Sequence, residues 1–569
     1  MRTILLAGAL LTAASVLVAG AIRSDAAGGS AAGTTPPPVP GCADRNAGQN
    51  VRVTQDCGFR AQSEETLAVN PSNESDFVAA SNDFRTGFNK TSIQWSVDGG
   101  VHWGDVDEPF QHKLNHPERL LPTPSDPNRH TLAGDEGTGR GYEHCSDPSV
   151  AWDSAGRVFY SCVAFDAVFQ ASLLAVAVSP PRANGSYFGD IGPTTRTGIV
   201  AEDNNSSIFH DKELLAADAY ANSPNRDNVY IVWTLLPGLG DVFEGQIYAS
   251  MSTDHGRTWS TPEAINGASS TLCPIGLEDE TSDSSCDRSY APAPAVLPNG
   301  DLAVVFFNHN LSGADAQYLS VHCRPRGSSP EGTAQLDCGD PTKVGDAVRS
   351  PEPTCDFGIP IECVPGPYVV LEDDPHVAAQ PRNGHLYMVW EDYRAGEYDI
   401  ELARSTDGGA TWSAARTVNR DRGLDHYLPA VAAAPGSDGD RVGVSYYRSQ
   451  RIPGENSPPP GGFQQGVGGA GDAPSDYVLA GGGSATALPW AFSVVSPPFA
   501  PPDQATFIGD YTGLAITGGS RAHPIWADTR NRNPYAAQDG WRRDLDVFTD
   551  DVALPDATAA PSRGTIGAP

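Results

Sequence analysis

Short apolar runs recur along the chain, each opened by a polar residue, followed by a turn, and answered by a second run. Residues 65–69 lead to 77–80, 147–151 to 158–160, 212–216 to 229–233, and 293–296 to 302–306. The same grammar continues from 374–378 to 386–390, from 428–432 to 442–446, and from 510–514 to 523–526. The runs are three to five residues long, rich in Val, Ile, Ala and aromatic residues, and several are apolar at every position. That pattern predicts strands buried on both faces. The connections are rich in Asn, Asp, Gly and Pro, as tight hairpin turns require. A third strand follows most hairpins, as at 92–95, 246–249 and 399–402. No amphipathic helix of convincing length is present. A hairpin plus further strands, repeated at a period of tens of residues, is the signature of a propeller blade. Seven hairpins predict an all-β, seven-bladed β-propeller over residues 60–553, or six blades if one hairpin lies outside the ring.

The chain has 569 residues, too many for one conventional core but suited to units that contact mainly their neighbours. Sixty Gly and 48 Pro agree with many turns. A net charge of −33 excludes nucleic acid and anionic membrane surfaces as partners, since phosphates would be repelled. Residues 1–21 read as a signal peptide, with Arg2, an apolar stretch from Ile4 to Val18, and small residues at Ala19-Gly20-Ala21. Residues 22–59 form a linker and an N-terminal disulfide segment, and 554–569 a disordered tail. The chain is expected to be secreted, without a membrane span. Ten cysteines in an exported chain predict disulfides. Close spacing favours Cys42–Cys57, Cys145–Cys162, Cys273–Cys286, Cys323–Cys338 and Cys355–Cys363. The absence of a Cys-x-x-Cys pair argues against a zinc site.

Three of the third strands run into one motif: Ser96-Val97-Asp98-Gly99-Gly100-Val101-His102-Trp103, Ser252-Thr253-Asp254-His255-Gly256-Arg257-Thr258-Trp259, and Ser405-Thr406-Asp407-Gly408-Gly409-Ala410-Thr411-Trp412. The pattern Ser-x-Asp-x-Gly-x-Thr-Trp resembles the Asp-box, or BNR repeat, of the sialidase superfamily; His102 stands where Thr is usual. In such a turn the Asp accepts backbone N–H groups, the second Gly takes φ > 0, and the Trp packs into the blade. These residues are read as structural.

The resemblance implies a propeller whose active site lies on the face away from the Asp-box turns. The starts of the inner strands and the ends of the second strands border that face. Glu64, Asp147, Asp211, Arg288, Asp374, His426 and Asp510 open inner strands, and Arg85, Arg394, Arg448 and Arg530 close second strands. The resemblance implies an exo-α-sialidase type of glycoside hydrolase acting on a terminal acidic sugar. Arginines would hold the carboxylate of such a substrate by paired hydrogen bonds, and Arg85, Arg394, Arg448 and Arg530 are the substrate-binding candidates. By position Tyr511 is the candidate nucleophile, Glu213 or Glu64 its base, and Asp147 the acid; a Tyr nucleophile is a known departure among glycosidases. No cofactor is required. The inner-rim carboxylates offer oxygen ligands of the kind Ca²⁺ takes, as the one metal alternative. The alternative function is a non-catalytic glycan- or ligand-binding propeller on the same scaffold.

Overall fold

The computed structural model describes residues 50–555, apart from 56–57, 59, 86–89, 111–129, 132–139, 143, 167–170, 189–197, 204, 238–244, 276–283, 311–315, 351–353, 357–359, 365–366, 368, 437–439, 452–472, 483–489, 501–506 and 532–542. The expected signal peptide, most of the linker, nearly all of the tail and the Cys42–Cys57 pair fall outside these residues. Seven antiparallel sheets of at least four strands form the blades of a seven-bladed β-propeller. Their innermost strands, in chain order, are Gln62–Val69, His144–Trp152, Phe209–Ala217, Ser289–Val296, His376–Ala379, Leu424–Ala433 and Gly513–Thr517. Each inner strand packs beside the next, and the seventh packs beside the first. All seven predicted hairpins are therefore blades.

The strands are apolar on both faces because each blade is sandwiched between two others. In blade 2, Phe159 faces blade 3 beside Trp233, while Tyr160 faces blade 1 beside Val78 and Ile93. Seven apolar clusters lie among the described residues, one at each junction between blades. Trp233, Trp390 and Trp526, all on second strands, are wholly buried in these junctions.

The N-terminal segment closes the ring. Strand Val51–Arg52 pairs with Asp546–Thr549 as the outermost strand of blade 7, and Val53 N donates to Val547 O at 2.8 Å. The guanidinium of Arg52 is bonded to Asp546, and both side chains are buried. This strand lies ahead of residue 60, where the sequence placed the start of the propeller. Three of the predicted disulfides are formed: Cys145–Cys162, Cys273–Cys286 and Cys323–Cys338. Cys363 is also disulfide-bonded. No helix among the described residues is long and apolar enough to cross a membrane.

The three Ser-x-Asp turns share one geometry. Gly100, Gly256 and Gly409 each donate N–H to the Ser Oγ at 2.8–2.9 Å and take φ of 85°, 78° and 94°. The Asp carboxylate accepts the backbone N–H four residues on at 2.9 Å, from His102, Thr258 and Thr411. Its second oxygen takes the Thr hydroxyl in two turns, at 2.8 and 2.6 Å, and in the first lies 2.6 Å from His102 Nδ1. An imidazole thus does what the usual hydroxyl does. In blade 1, Ser96 pairs with Phe77, whereas Asp83 at the other end of that strand pairs with Gln62. The Ser-x-Asp turns and the inner-strand starts therefore lie on opposite faces.

Candidate active site on the propeller axis

A repeated backbone irregularity aims side chains at the axis. Near the start of every inner strand one residue has positive φ: Glu64 60°, Asp147 58°, Lys212 53°, Ala291 50°, Asp373 61°, Leu428 48° and Gly509 109°. In five blades it falls within a register shift against the second strand. Such bulges break the in–out alternation and turn neighbouring side chains in new directions. Six of the seven residues are not glycine, a conformation that costs of order 1–3 kcal/mol each and persists only where the surroundings impose it.

The side chains so directed form an ionisable cluster, with Lys212 at its centre. The Lys212 ammonium is bonded to Asp510 of blade 7 and lies 3.1 Å from Glu372 Oε2 and 3.5 Å from Asp374 Oδ2 of blade 5. The Lys212 side chain is 5 % exposed, so these carboxylates rather than water hold its charge. They push its pKa up against the opposing effect of burial. Tyr290 OH lies 3.1 Å from both Asp211 Oδ2 and Glu372 Oε2. The phenol has one proton, so it serves one carboxylate at a time. Burial, with Asp147 next to it, raises the Asp211 pKa. On the blade 1 side, Asn82 Nδ2 donates to Glu64 Oε2, Asn82 Oδ1 accepts from Asp147 N at 3.1 Å, and Ser146 Oγ donates to Asp147 Oδ1 at 2.8 Å.

Tyr511, Glu213 and Asp147 come to this cluster from blades 7, 3 and 2. Burial raises the Tyr511 phenol pKa, and the charges of Glu64, Asp147 and Glu213 raise it further. Tyr511 OH donates to the Pro148 carbonyl at 3.4 Å and makes no hydrogen bond to Glu213 or Glu64. Glu213 is wholly buried; its Oε1 accepts from Ser161 Oγ at 3.4 Å, its Oε2 has no partner, and burial raises its pKa. The phenol that does lie within hydrogen-bond reach of axial carboxylates is Tyr290. The sequence reading passed over Tyr290, Lys212 and Glu372. Each sits beside or at the positive-φ residue of its blade, a signal that only alignment of the seven strand starts would have revealed.

The four arginines lie at the ends of second strands, on the same face but one strand outward. Each is paired within its own blade. Arg85 Nε donates to Asp83 at 2.6 Å, Arg394 to Asp392 at 2.5 Å, and Arg530 to Asp528 at 2.8 Å. In all three, the arginine backbone N–H also bonds the same Asp, at 2.9–3.1 Å. Arg448 forks onto Asp476 at 3.0 and 2.7 Å and reaches Asp421 at 2.7 Å. His426 joins that group through Asp421 at 3.1 Å. Among the described residues no group of three or more His, Cys, Asp or Glu side chains is placed to hold a metal ion.

Fold and site together define a seven-bladed propeller with an ionisable cluster where its inner strands begin. No family model matches the chain, and no curated protein matches it. Among solved structures, it is similar to an α-L-arabinanase of Penicillium chrysogenum, at 13% identity over 72% of this chain and 95% of that one, TM-score 0.37. It is also similar to the NanB sialidase of Streptococcus pneumoniae, at 12% identity over 89% of this chain and 70% of that one, TM-score 0.35. A protein of unknown function from Dyadobacter fermentans has 12% identity over 89% of this chain and 98% of that one, TM-score 0.35. Likenesses this distant bear on neither the site nor the substrate.

Proposed function

We propose that this chain is an exported glycoside hydrolase that removes a terminal sugar at the axial face of its propeller. The observation that carries the reading is the convergence of Tyr511, Glu213 and Asp147 beside Lys212, from three blades, on the face away from the Ser-x-Asp turns. In the proposed reaction the Tyr511 phenol attacks the anomeric carbon and gives its proton to Glu213 or Glu64, while Asp147 protonates the leaving oxygen as its bond to that carbon breaks. Water then attacks the same carbon, gives its proton to Asp147 and frees the sugar, and the Tyr511 oxygen takes its proton back. The raised pKa of the phenol means that it needs such a base. Hydrogen bonds at such sites commonly tighten only once substrate is bound.

The sialidase-type form of the proposal, with an acidic sugar held by Arg85, Arg394, Arg448 and Arg530, is supported by the three Asp-box motifs. The pairing of every one of these guanidinium groups with an Asp of its own blade weighs against it. That same pairing favours a second reading, a glycan-binding propeller without chemistry. Purified protein offered fluorogenic sialosides and neutral glycosides tests both. Release that falls by about 10²–10⁴-fold in Tyr511→Phe and Glu213→Gln, with unchanged folding, supports the hydrolase. Sugar binding with no release from any glycoside leaves the binding module.

A further inference from the structure

Two carboxyl groups meet where the ring closes. Glu64 lies on the inner strand of blade 1, and Asp510 leads into that of blade 7. Gly509 permits the approach: a Cβ there would lie 2.6 Å from Glu64 N and 3.2 Å from Glu64 Cγ. Asn82 serves one Glu64 oxygen and Lys212 one Asp510 oxygen. The other Asp510 oxygen, Oδ1, has no donor, although the residue is only 6% exposed, and Oδ1 of the half-buried Asp374 also lacks one.

The cluster is short of positive charge. Among the described residues Lys212 is paired with Asp510, Glu372 and Asp374, and Arg349 with Asp373 at 2.8 Å. Among the described residues Glu64, Asp147 and Asp211 make no ion pair, Lys212 reaching Glu64 and Asp211 only through its more distant charge, and the nearby phenols of Tyr290 and Tyr511 supply no cation. Facing carboxylates in a buried site are not both charged unless a proton or a cation lies between them. Burial first, then Asp147 and Asp510, pushes the Glu64 pKa well up, and burial with Glu372 pushes that of Asp510 to about 6. Both shifts favour a proton shared by the pair. Among the described residues no group of three or more acidic side chains is placed to hold a metal ion, and the rim arginines are already engaged. The half-buried Glu372, Asp374 and Tyr511 mark the side from which a ligand reaches the pair.

We infer that the axial site recognises a ligand bearing a protonated amine, an amino sugar in the terms of the function proposed above, whose ammonium takes the place of the proton held between Glu64 and Asp510. The exchange balances: one ammonium enters, one proton leaves to solvent, and no covalent bond between heavy atoms changes. The sugar rests on the hydrolase reading, whereas the recognition of an ammonium rests on the site alone.

Calorimetric titration of the full chain at pH 6.5 tests this, using glucosamine, N-acetylglucosamine and N-acetylneuraminic acid in two buffers of different ionisation heat. Glucosamine is expected to bind roughly ten- to a hundredfold more tightly than its N-acetylated form, the worth of one charge-assisted hydrogen bond. Its heat should differ between the buffers by the release of one proton. Asp510→Asn should weaken binding by a similar factor and abolish the proton release. Because that change also loosens Lys212, Glu64→Gln, which keeps an amide beside Asp510, provides the second variant and should abolish the release as well. Equal or tighter binding of either N-acetylated sugar, glucosamine binding without proton release, or no glucosamine binding at all overturns the inference. Glucosamine that binds as expected while no glycoside is cleaved leaves the inference standing and removes the hydrolase reading.

Discussion

Lys212 and Asp510 belong to blades 3 and 7, which are not neighbours in the ring, yet their side chains are bonded across the propeller axis. With Glu372 and Asp374 of blade 5 on the same ammonium, one buried cation ties three blades. A buried ion pair contributes little over an apolar substitute, but removing one partner leaves the other charge stranded, at a cost of about 3–5 kcal/mol.

Lys212→Met should therefore lower thermal stability, and more at pH 7.5 than at pH 5. Burial lifts the carboxyl pKa of Asp510 to about 6 and raises that of Asp374, and Lys212 lowers both. Without the ammonium both rise further above their unfolded values. A carboxyl with a raised folded pKa favours folding at low pH and loses that contribution as pH climbs through the folded value. The difference in melting temperature between wild type and variant should widen from pH 5 to pH 7.5. A difference that stays constant would show that Lys212 is held for shape and not for charge.

The Asp-x-Arg pairs make a second prediction. Asp392 and Asp528 are wholly buried, while Arg394 and Arg530 are 40 % and 19 % exposed. Arg530→Ala strips the guanidinium from a buried carboxylate and should cost about 3–5 kcal/mol. Arg394→Ala should cost less, because water screens its more exposed side chain. Adding Asp528→Asn to Arg530→Ala should restore part of the loss. If these arginines only brace their blades, ligand affinity will not change as melting temperature falls. A tenfold or greater loss of sugar affinity at an intact melting temperature would instead show the rim gripping substrate.

The parts of the molecule legible in the sequence are those that repeat. The hairpin from Glu65 to Ala80 and its six counterparts are apolar on both faces because each blade is covered on two sides, and seven repetitions give seven blades. Tyr511, Glu213 and Asp147 could be placed on the axial face from the sequence because they stand at the starts of inner strands. Lys212 and Tyr290 were not, because their directions depend on a bulge whose positive-φ residue is Lys212 in blade 3 and Ala291 in blade 4. Neither residue announces such a conformation, and only Gly509 in blade 7 does so by its type. The closing strand was equally hidden: Val51–Arg52 has two residues, and Arg52 meets a partner 494 positions away. No local pattern encodes such a contact.

That contact carries the third prediction. Arg52 is buried against Asp546, itself wholly buried, at the seam where the ring closes. Arg52→Ala should lower the melting temperature by the equivalent of about 3–5 kcal/mol and speed proteolysis near residues 50–55. Arg52→Lys keeps the charge but not the planar fork, and should recover part of the stability. If Arg52→Ala melts like wild type, the N-terminal strand is not what closes the ring.

The last prediction concerns Glu108, which follows the outer strand of blade 1 and is 1 % exposed. Its backbone N–H bonds Thr91 O at 3.2 Å, but its Oε1 has no partner. Burial pushes its pKa to about 8, against the lowering effect of Lys90. In the folded chain at pH 7 this carboxyl is protonated, whereas in the unfolded chain it is ionised. The folded state thus binds more protons between the ordinary carboxyl range and pH 8, so stability falls as pH rises, by up to about 1.4 kcal/mol per pH unit for one group. This is the reverse of acid denaturation, where carboxylates paired in the folded state must be protonated. Glu362, lifted to about 7 by burial and Asp373, adds a slope of the same sign, so the wild-type curve alone does not isolate Glu108. Glu108→Gln does, because the amide is neutral at every pH and nearly the same size. The variant should match wild type near pH 5 and be more stable than it at pH 8.5, with the gap opening across that interval in paired melting curves. Parallel curves would mean that Glu108 is ionised in the fold, held by Lys90 more strongly than burial opposes it.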